Sequence, residues 1–284
     1  DDDAAAAEVW EEAHERVAEK TAWSLETSIW APRRLHCDAR DFYDTEEVMK
    51  RMFDSDWGEA IRMAKLAKFI MRADDDGDEA EVEEVEAVMW EHHHLIYMAF
   101  DFYASLGSSS NVFEISSNAF HRFVGDCDLE IRDSQFCTKT HLDQLFHLVN
   151  ASSLAAQREG HATGDHGSKK LMKFDKSTTL NRMEFMQCLV RLAARRYVFT
   201  GKQKDMSEAL HQFFNWDLDA RLHPASFQSS NAFRRRYCYT EDTSSALEAH
   251  ERSLRALYAI YAADGKENEG DRAASLSLET TKLM

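Results

Sequence analysis

The chain has 284 residues, of which only 2 are proline and 10 are glycine. All-β sandwiches and barrels use these residues at most of their corners, so the scarcity argues against such folds. It also excludes collagen-like, proline-rich and glycine/serine-rich disordered chains. The fold class left by these exclusions is a mostly helical protein. A hydrophobic content of 44% is enough for the core of one large domain or two smaller ones.

The net charge of −17 narrows the classes of partner. Nucleic acids and anionic membrane surfaces attract Lys and Arg, so an excess of acidic side chains argues against both. Partners that fit are basic, neutral or cationic, and they include divalent metals. The sequence has no apolar run near the roughly 20 residues of a transmembrane helix, and we expect a cytoplasmic protein. Because it begins with Asp1 and ends without a helix stop signal, we expect a segment of a longer protein.

In chain order, residues 4–30 have the apolar spacing of a helix that Pro32 would end. Thr45 with the following acidic residues predicts a helix start, and residues 60–71 predict another helix. Residues 1–78 are thus expected to form an N-terminal helical region.

Residues 74–86 contain nine acidic side chains and no basic one. A calcium loop with Gly77 at its sixth position would need Arg72 as the first ligand, and arginine cannot bind calcium. A solvated helix N-terminus is therefore the favoured interpretation.

The rest of the chain alternates helices and polar loops. Residues 151–172 are polar and contain three glycines, which predicts a mobile insertion. Thr138 is expected to cap one helix, and Gly107 and Gly201 are expected to end two others. Apolar spacing predicts helices at residues 79–106, 120–124, 138–149, 181–200, 207–216 and 243–263.

The sequence contains one internal repeat. Residues 89–107 (MWEHHHLIYMAFDFYASLG) and 247–265 (LEAHERSLRALYAIYAADG) match at a constant offset of 158. A polar loop and a short β-like unit follow each copy, at residues 114–116 and 275–277. The matched positions are Met89 with Leu247, His92 with His250, Ile96 with Leu254, Phe100 with Tyr258, Tyr103 with Tyr261 and Gly107 with Gly265.

This order of helix, polar loop, aliphatic residue and short helix resembles the EF-hand (calmodulin-like) superfamily. Leu180 and Glu184 match the eighth and twelfth positions of an EF-hand loop. The resemblance implies an all-α fold: an EF-hand-like helix-loop-helix pair with flanking helices and very short β contacts between loops. The pair would occupy residues 79–204, and residues 205–284 would begin a further repeat.

Three phrases also resemble degenerate EF-hand proteins of flagellated protists, some of them ciliary or cytoskeletal. They are NAFHRF at residues 118–123, LNRMEFMQCLVRLA at residues 180–193 and FRRRYCYTED at residues 233–242. The likeness implies a place in a cytoskeletal or ciliary assembly.

The loops themselves argue against tight calcium binding, which needs side-chain oxygens at positions 1, 3, 5 and 12. In the first loop (residues 108–119) these positions are Ser108, Ser110, Val112 and Ala119, so none of the four supplies a carboxylate. The further repeat has Thr280 at its twelfth position.

The second loop (residues 173–184) begins with Lys173 and has Thr178 in place of the usual glycine. The remaining calcium candidates are Asp175, Ser177 and Glu184.

The sequence gives little indication of a transition-metal site or a catalytic site. The run His92-His93-His94 cannot chelate one ion, because successive helical side chains point about 100° apart. We expect His92 to be a packed, hydrogen-bonded histidine, and His161 and His166 to lie on the surface. The sequence has no GxSxG, P-loop, GxGxxG or HExxH motif, so no enzyme is predicted.

The five cysteines form no CxxC pair and are odd in number, which predicts free, mostly packed thiols in a reducing compartment. Cys188 is expected in the core rather than as a nucleophile. The cysteines are Cys37, Cys127, Cys137, Cys188 and Cys238.

Two basic clusters, residues 191–196 and 234–236, admit two interpretations. They could face an acidic partner, or they could be solvated or pair with the nine acidic side chains of residues 74–86, which we favour.

The predicted function is a non-enzymatic scaffold, without cofactors, in which a protein partner such as a helix occupies the apolar groove of the hands. The alternative is a calcium sensor or buffer. An enzyme with a site of scattered polar residues would show a deep pocket with displaced pKa values.

Overall fold

The computed structural model describes residues 22–73, 80–107, 112–162 and 179–267. These residues form 11 α-helices and one two-stranded sheet, which confirms the all-α expectation. No described helix is long and apolar enough to cross a membrane. The helices are α1 (Ala31–His36), α2 (Glu46–Arg62), α3 (Leu66–Ala73), α4 (Ala80–Glu91), α5 (His93–Ser105), α6 (Ser117–Asp126), α7 (Lys139–Ala162), α8 (Arg182–Ala193), α9 (Met206–Gln212), α10 (Ser230–Phe233) and α11 (Glu241–Glu267).

Three π-helical turns extend helices at their C-terminal ends. They are Ala194–Val198 after α8, Phe213–Asp219 after α9 and Arg234–Cys238 after α10. Short 3₁₀ turns occur at Leu25–Thr27, Met63–Lys65 and Pro224–Ser226.

The chain divides into two compact units. Unit 1 comprises Asp1–Val48 and Ser230–Met284, and unit 2 is Met49–Ser229. The two units do not coincide with the three regions predicted from the sequence, because the N-terminal and C-terminal parts of the chain belong to the same unit.

Unit 2 has one continuous apolar core. α9 packs on α4 and α8, α7 packs on α8, and α5 packs on α6 and α8. The large side chains at the centre are fully buried: Phe53, Leu66, Ile70, Met89, Ile96, Tyr103, Phe120, Phe123, Phe185, Phe213 and Phe214.

Two short strands join the loops of unit 2. β1 (Ile115–Ser116) pairs antiparallel with β2 (Thr179–Leu180), with Ile115 opposite Leu180. Very short β contacts between loops are therefore present, as the sequence predicts.

Ion pairs of two buried carboxylates with partly buried arginines brace the same unit. Asp217 accepts hydrogen bonds from Arg196 Nε and from the Tyr197 hydroxyl, both at 2.7 Å. Burial and the bond to Asp217 raise the pKa of Tyr197 to about 12. Asp56 accepts bonds from the Tyr97 hydroxyl at 3.1 Å and from Arg182 Nη2 at 3.0 Å, so α2 is tied to α5 and α8.

Unit 1 is organised by polar contacts of Asp44. Its carboxylate binds Arg33 at 3.1 Å and Arg234 at 2.6 Å, and its backbone exchanges two 2.9 Å hydrogen bonds with the Asn231 amide. The Tyr239 hydroxyl donates to Phe42 O at 2.7 Å in the same region.

Residues 4–21 of the first predicted helix lie outside the described residues. Residues 22–30 contain only the 3₁₀ turn, and Pro32 lies in the first turn of α1 rather than after a helix. The fixed φ of proline and its missing N–H suit this first-turn position.

Other helix bounds also differ from expectation. The predicted helix at residues 60–71 is split, because Lys65 adopts a left-handed φ of 55°. α7 continues through residues 151–162, where several Ala and Leu residues of high helix propensity outweigh the serines and Gly160. Residues 163–172 of the predicted insertion lie outside the described residues.

We expect Asp217→Ala to lower the free energy of unfolding by about 3–5 kcal/mol, because it leaves the buried Arg196 guanidinium without its carboxylate. Urea unfolding at neutral pH measures this change. Asp54→Ala is the control, since the Asp54–Lys50 pair is largely exposed and should contribute no more than about 1 kcal/mol. Equal effects of the two substitutions would contradict the assigned role of Asp217.

Candidate functional site

The paired loops contain the candidate calcium ligands that the EF-hand resemblance implies. Ile115 and Leu180, the eighth positions of the first and second loops, lie opposite each other and are fully buried. Asn150 Nδ2 donates to Thr179 O at 2.8 Å, which anchors β2 to α7. The structure thus places the two loops side by side at the β1–β2 pair.

Of the calcium candidates, Asp175 and Ser177 lie outside the described residues. Glu184 is fully buried at the start of α8, where its Oε2 accepts the Asn181 N–H at 2.8 Å. The Asn181 Oδ1 in turn accepts the Glu184 N–H at 2.9 Å, which completes a capping box. One Glu184 oxygen is therefore committed to holding the helix end. Ala119, the twelfth position of the first loop, is buried in α6.

Sequence reasoning missed Glu114, which precedes β1. Its side chain is buried, and its Oε2 accepts a 2.7 Å hydrogen bond from the Thr179 hydroxyl. The bond links the two loops beside the strand pair. Acidic residues often lie next to aliphatic strand residues, so the sequence alone does not predict this hydrogen bond.

Aromatic packing closes the space between α6 and the helices α7 and α8. Ring centroids lie 5.3 Å apart for Phe123 and Phe185, and 5.3 Å apart for Phe120 and Phe146. The core also includes side chains from α2, α3, α9 and the π-turn after α9. The inner faces of α5–α8 are therefore covered by helices of the same unit.

The first basic cluster is folded into unit 2. Arg196 pairs with Asp217, and Arg195 donates to His141 O at 3.0 Å. Arg191 is buried, with its guanidinium 4.4 Å from the centre of the Phe69 ring. These contacts are intramolecular, but the acidic partner is Asp217 rather than one of the acids at residues 74–86.

The second basic cluster is divided among separate contacts in unit 1. Arg234 pairs with Asp44, Arg235 lies over the Tyr43 ring at 5.2 Å, and Arg236 lies over the Tyr237 ring at 5.2 Å.

The thiols behave as predicted. All five cysteines are free, and four of them are buried. Burial raises the pKa of Cys188 above its usual value, and burial raises the pKa of Cys127 to about 12. A protonated, enclosed thiol is a poor nucleophile.

A shallow pocket of about 320 Å³ lies on α3. Lys65, Lys68 and Arg72 line it together with Phe69, Ala73 and Phe199. Its lining contains no carboxylate, imidazole or thiol, so these six side chains offer no general base for catalysis near neutral pH.

His92 lies between α4 and α5, where the predicted continuous helix at residues 79–106 is interrupted. Its ring stacks on Phe214, with centroids 4.7 Å apart. Its Nε2 is enclosed and has no hydrogen-bond partner among the described residues, which differs from the expected hydrogen-bonded histidine. His93, by contrast, is buried against Trp90, with ring centroids 3.9 Å apart.

The side chain of His161 and all of His166 lie outside the described residues.

The most exposed apolar helix face that we find lies on α11. Leu254, Leu257 and Tyr261 are 45%, 51% and 73% exposed. Their repeat-related positions on α5 are Ile96, Ala99 and Tyr103, which are 1%, 2% and 0% exposed. The same sequence pattern is therefore buried by neighbouring helices on α5 and open on α11.

We compared the chain with protein-family models, curated proteins and solved structures, and none of the three comparisons found a match.

Calcium in millimolar excess is expected to leave the midpoint of thermal unfolding unchanged, because Ala119 supplies no ligand and Glu184 caps α8. Melting curves in calcium and in chelator measure this. Glu184→Gln is a matched variant, since glutamine also completes a capping box. If calcium raised the midpoint of the wild type but not of Glu184→Gln, the calcium-sensor alternative would replace this account.

Proposed function

We propose that this chain is a non-enzymatic interaction protein, in which an EF-hand-like pair serves as a rigid support and α11 binds a protein partner. Two features support the EF-hand-like part of the proposal. Each of β1 and β2 is followed directly by a helix, and the strands pair at the residues that match the eighth loop positions. The described loop residues do not assemble a calcium ligand set, so the pair acts as structure rather than as a sensor.

The observation that carries the proposal is the open face of α11. Leu247, His250, Leu254, Leu257 and Tyr261 are spaced by three or four residues, so they follow one stripe of the helix. This is the spacing that one helix presents to another in a coiled coil or a helix-in-groove complex. Ile260 flanks the stripe and is also exposed.

The energetics favour occupation of this stripe by a partner. Full burial of one large apolar side chain contributes about 1.5–3 kcal/mol. Leu254, Leu257, Ile260 and Tyr261 together therefore offer several anchors, and tyrosine is among the residues enriched at interface hot spots. On α5 the same pattern is buried against other helices of unit 2, so a helical partner is the natural occupant of the α11 stripe.

The stripe lies on a chain of net charge −17, which favours a neutral or basic partner. The resemblance to protist EF-hand proteins suggests a cytoskeletal or ciliary assembly as the setting. We therefore expect the partner to be a helical segment of another subunit of such an assembly.

A photo-reactive amino acid at position 257 tests this proposal in cells that make the protein. It should cross-link to one defined protein, whereas the same amino acid at position 259 should not, because Ala259 lies on the opposite side of α11. Cross-links of equal yield from both positions, or none from position 257, would contradict the proposal.

Leu257→Asp should abolish co-purification of the cross-linked partner, because it places a charge in the apolar stripe. Ala259→Asp is the matched control, since it adds the same charge to an exposed position of the same helix. Circular dichroism verifies that both variants keep the helical content of the wild type. Retention of the partner by Leu257→Asp would argue against binding through this face.

A further inference from the structure

Two histidines and a glutamate converge in unit 2 away from the paired loops. Glu91 ends α4, His92 follows it, and His211 lies in the last turn of α9. Each offers one candidate ligand atom, and these three atoms all lie within 4.8 Å of one another. Glu91 Oε2 is 3.8 Å from His211 Nε2, and the centroids of the two imidazole rings are 5.6 Å apart.

The packing of α9 on α4 produces this arrangement. At the start of α9, the Ser207 N–H donates to Glu81 Oε1 at 2.7 Å, which fixes the two helices to each other. One turn later, His211 faces the C-terminal end of α4. The interruption of the helix at His92 places a second imidazole there, stacked on Phe214 of the π-turn that follows α9.

The state of His92 suits a metal ligand. A ligating imidazole must be neutral, and the enclosed position of His92 disfavours its charged form. Its ring is held in place by Phe214, and its enclosed Nε2 lacks a hydrogen-bond partner among the described residues. Buried polar atoms normally have a hydrogen-bond partner. Coordination of the ring to a metal is one interaction that offsets the free-energy cost of burying an imidazole.

We propose that Glu91, His92 and His211 bind one zinc ion. Two imidazoles and one carboxylate suit zinc, whereas calcium and magnesium require mostly oxygen ligands. Ligand atoms around a tetrahedral zinc lie about 3.3 Å apart, so the three atoms need to close by no more than about 1.5 Å. Glu91 and His211 are partly exposed, so their side chains can rotate to do so.

Three protein ligands leave the fourth position of a tetrahedral zinc open for water or a further group. The carboxylate of Asp219 lies near enough to His92 to interact with it electrostatically. The negative potential of Asp219 also attracts a cation to this place. The site is distinct from the α11 stripe, so it is independent of the proposed partner binding.

Titration calorimetry of the metal-free full chain with zinc chloride tests the proposal. The wild type should bind one equivalent with a micromolar or lower Kd, and His211→Asn and Glu91→Gln should each weaken binding by at least about tenfold. Glu91 is exposed, so Glu91→Gln should keep the fold even if His211→Asn disturbs it. His147→Ala, at an exposed position of α7, is the control and should leave the affinity unchanged.

Cobalt(II) provides a second readout, because its visible absorption reports the ligands directly. The cobalt spectrum of the wild type should change in His211→Asn and stay the same in His147→Ala. Failure of the wild type to bind zinc, or the same zinc affinity in wild type and Glu91→Gln, would overturn the proposal.

Discussion

The backbone pairing of β1 with β2 is the contact on which the arrangement of unit 2 depends. It joins two loops that are far apart in sequence at Ile115 and Leu180, and both side chains enter the core. Because each strand is followed directly by a helix, the pairing also sets where α6 and α8 begin. The Glu114–Thr179 hydrogen bond and the Asn181–Glu184 capping box add polar contacts beside the strand pair.

The need to bury apolar helix faces underlies the proposed partner site. In unit 2 the inner faces of α5–α8 are covered by side chains from α2, α3 and α9, so the core leaves no open groove among its described helices. α11 repeats the sequence pattern of α5 but exposes the corresponding face. On α5 the apolar face is buried by other helices of the chain. On α11 the corresponding face is open, so its burial by a helix of another molecule is favourable.

The sequence predicts features whose causes are local. The cap of α2 near Thr45, the cap of α7 at Thr138 and the core position of Cys188 all follow from short-range patterns. The short β contact between the loops is implied by the EF-hand resemblance instead. Contacts between distant segments could not be predicted this way. Nothing in the sequence connects Asp217 with Arg196, or His211 with His92, because those pairs depend on how α9 packs.

Hydrogen exchange of the backbone amides, compared between the isolated chain and the chain in its native assembly, tests the central claim most directly. Residues 115–126 and 180–193 should exchange slowly in both samples, since β1, β2 and the helices after them are buried within unit 2. Residues 250–262 of α11 should exchange faster in the isolated chain and become protected in the assembly. Unchanged exchange in α11, with new protection over α5–α8 instead, would contradict the account.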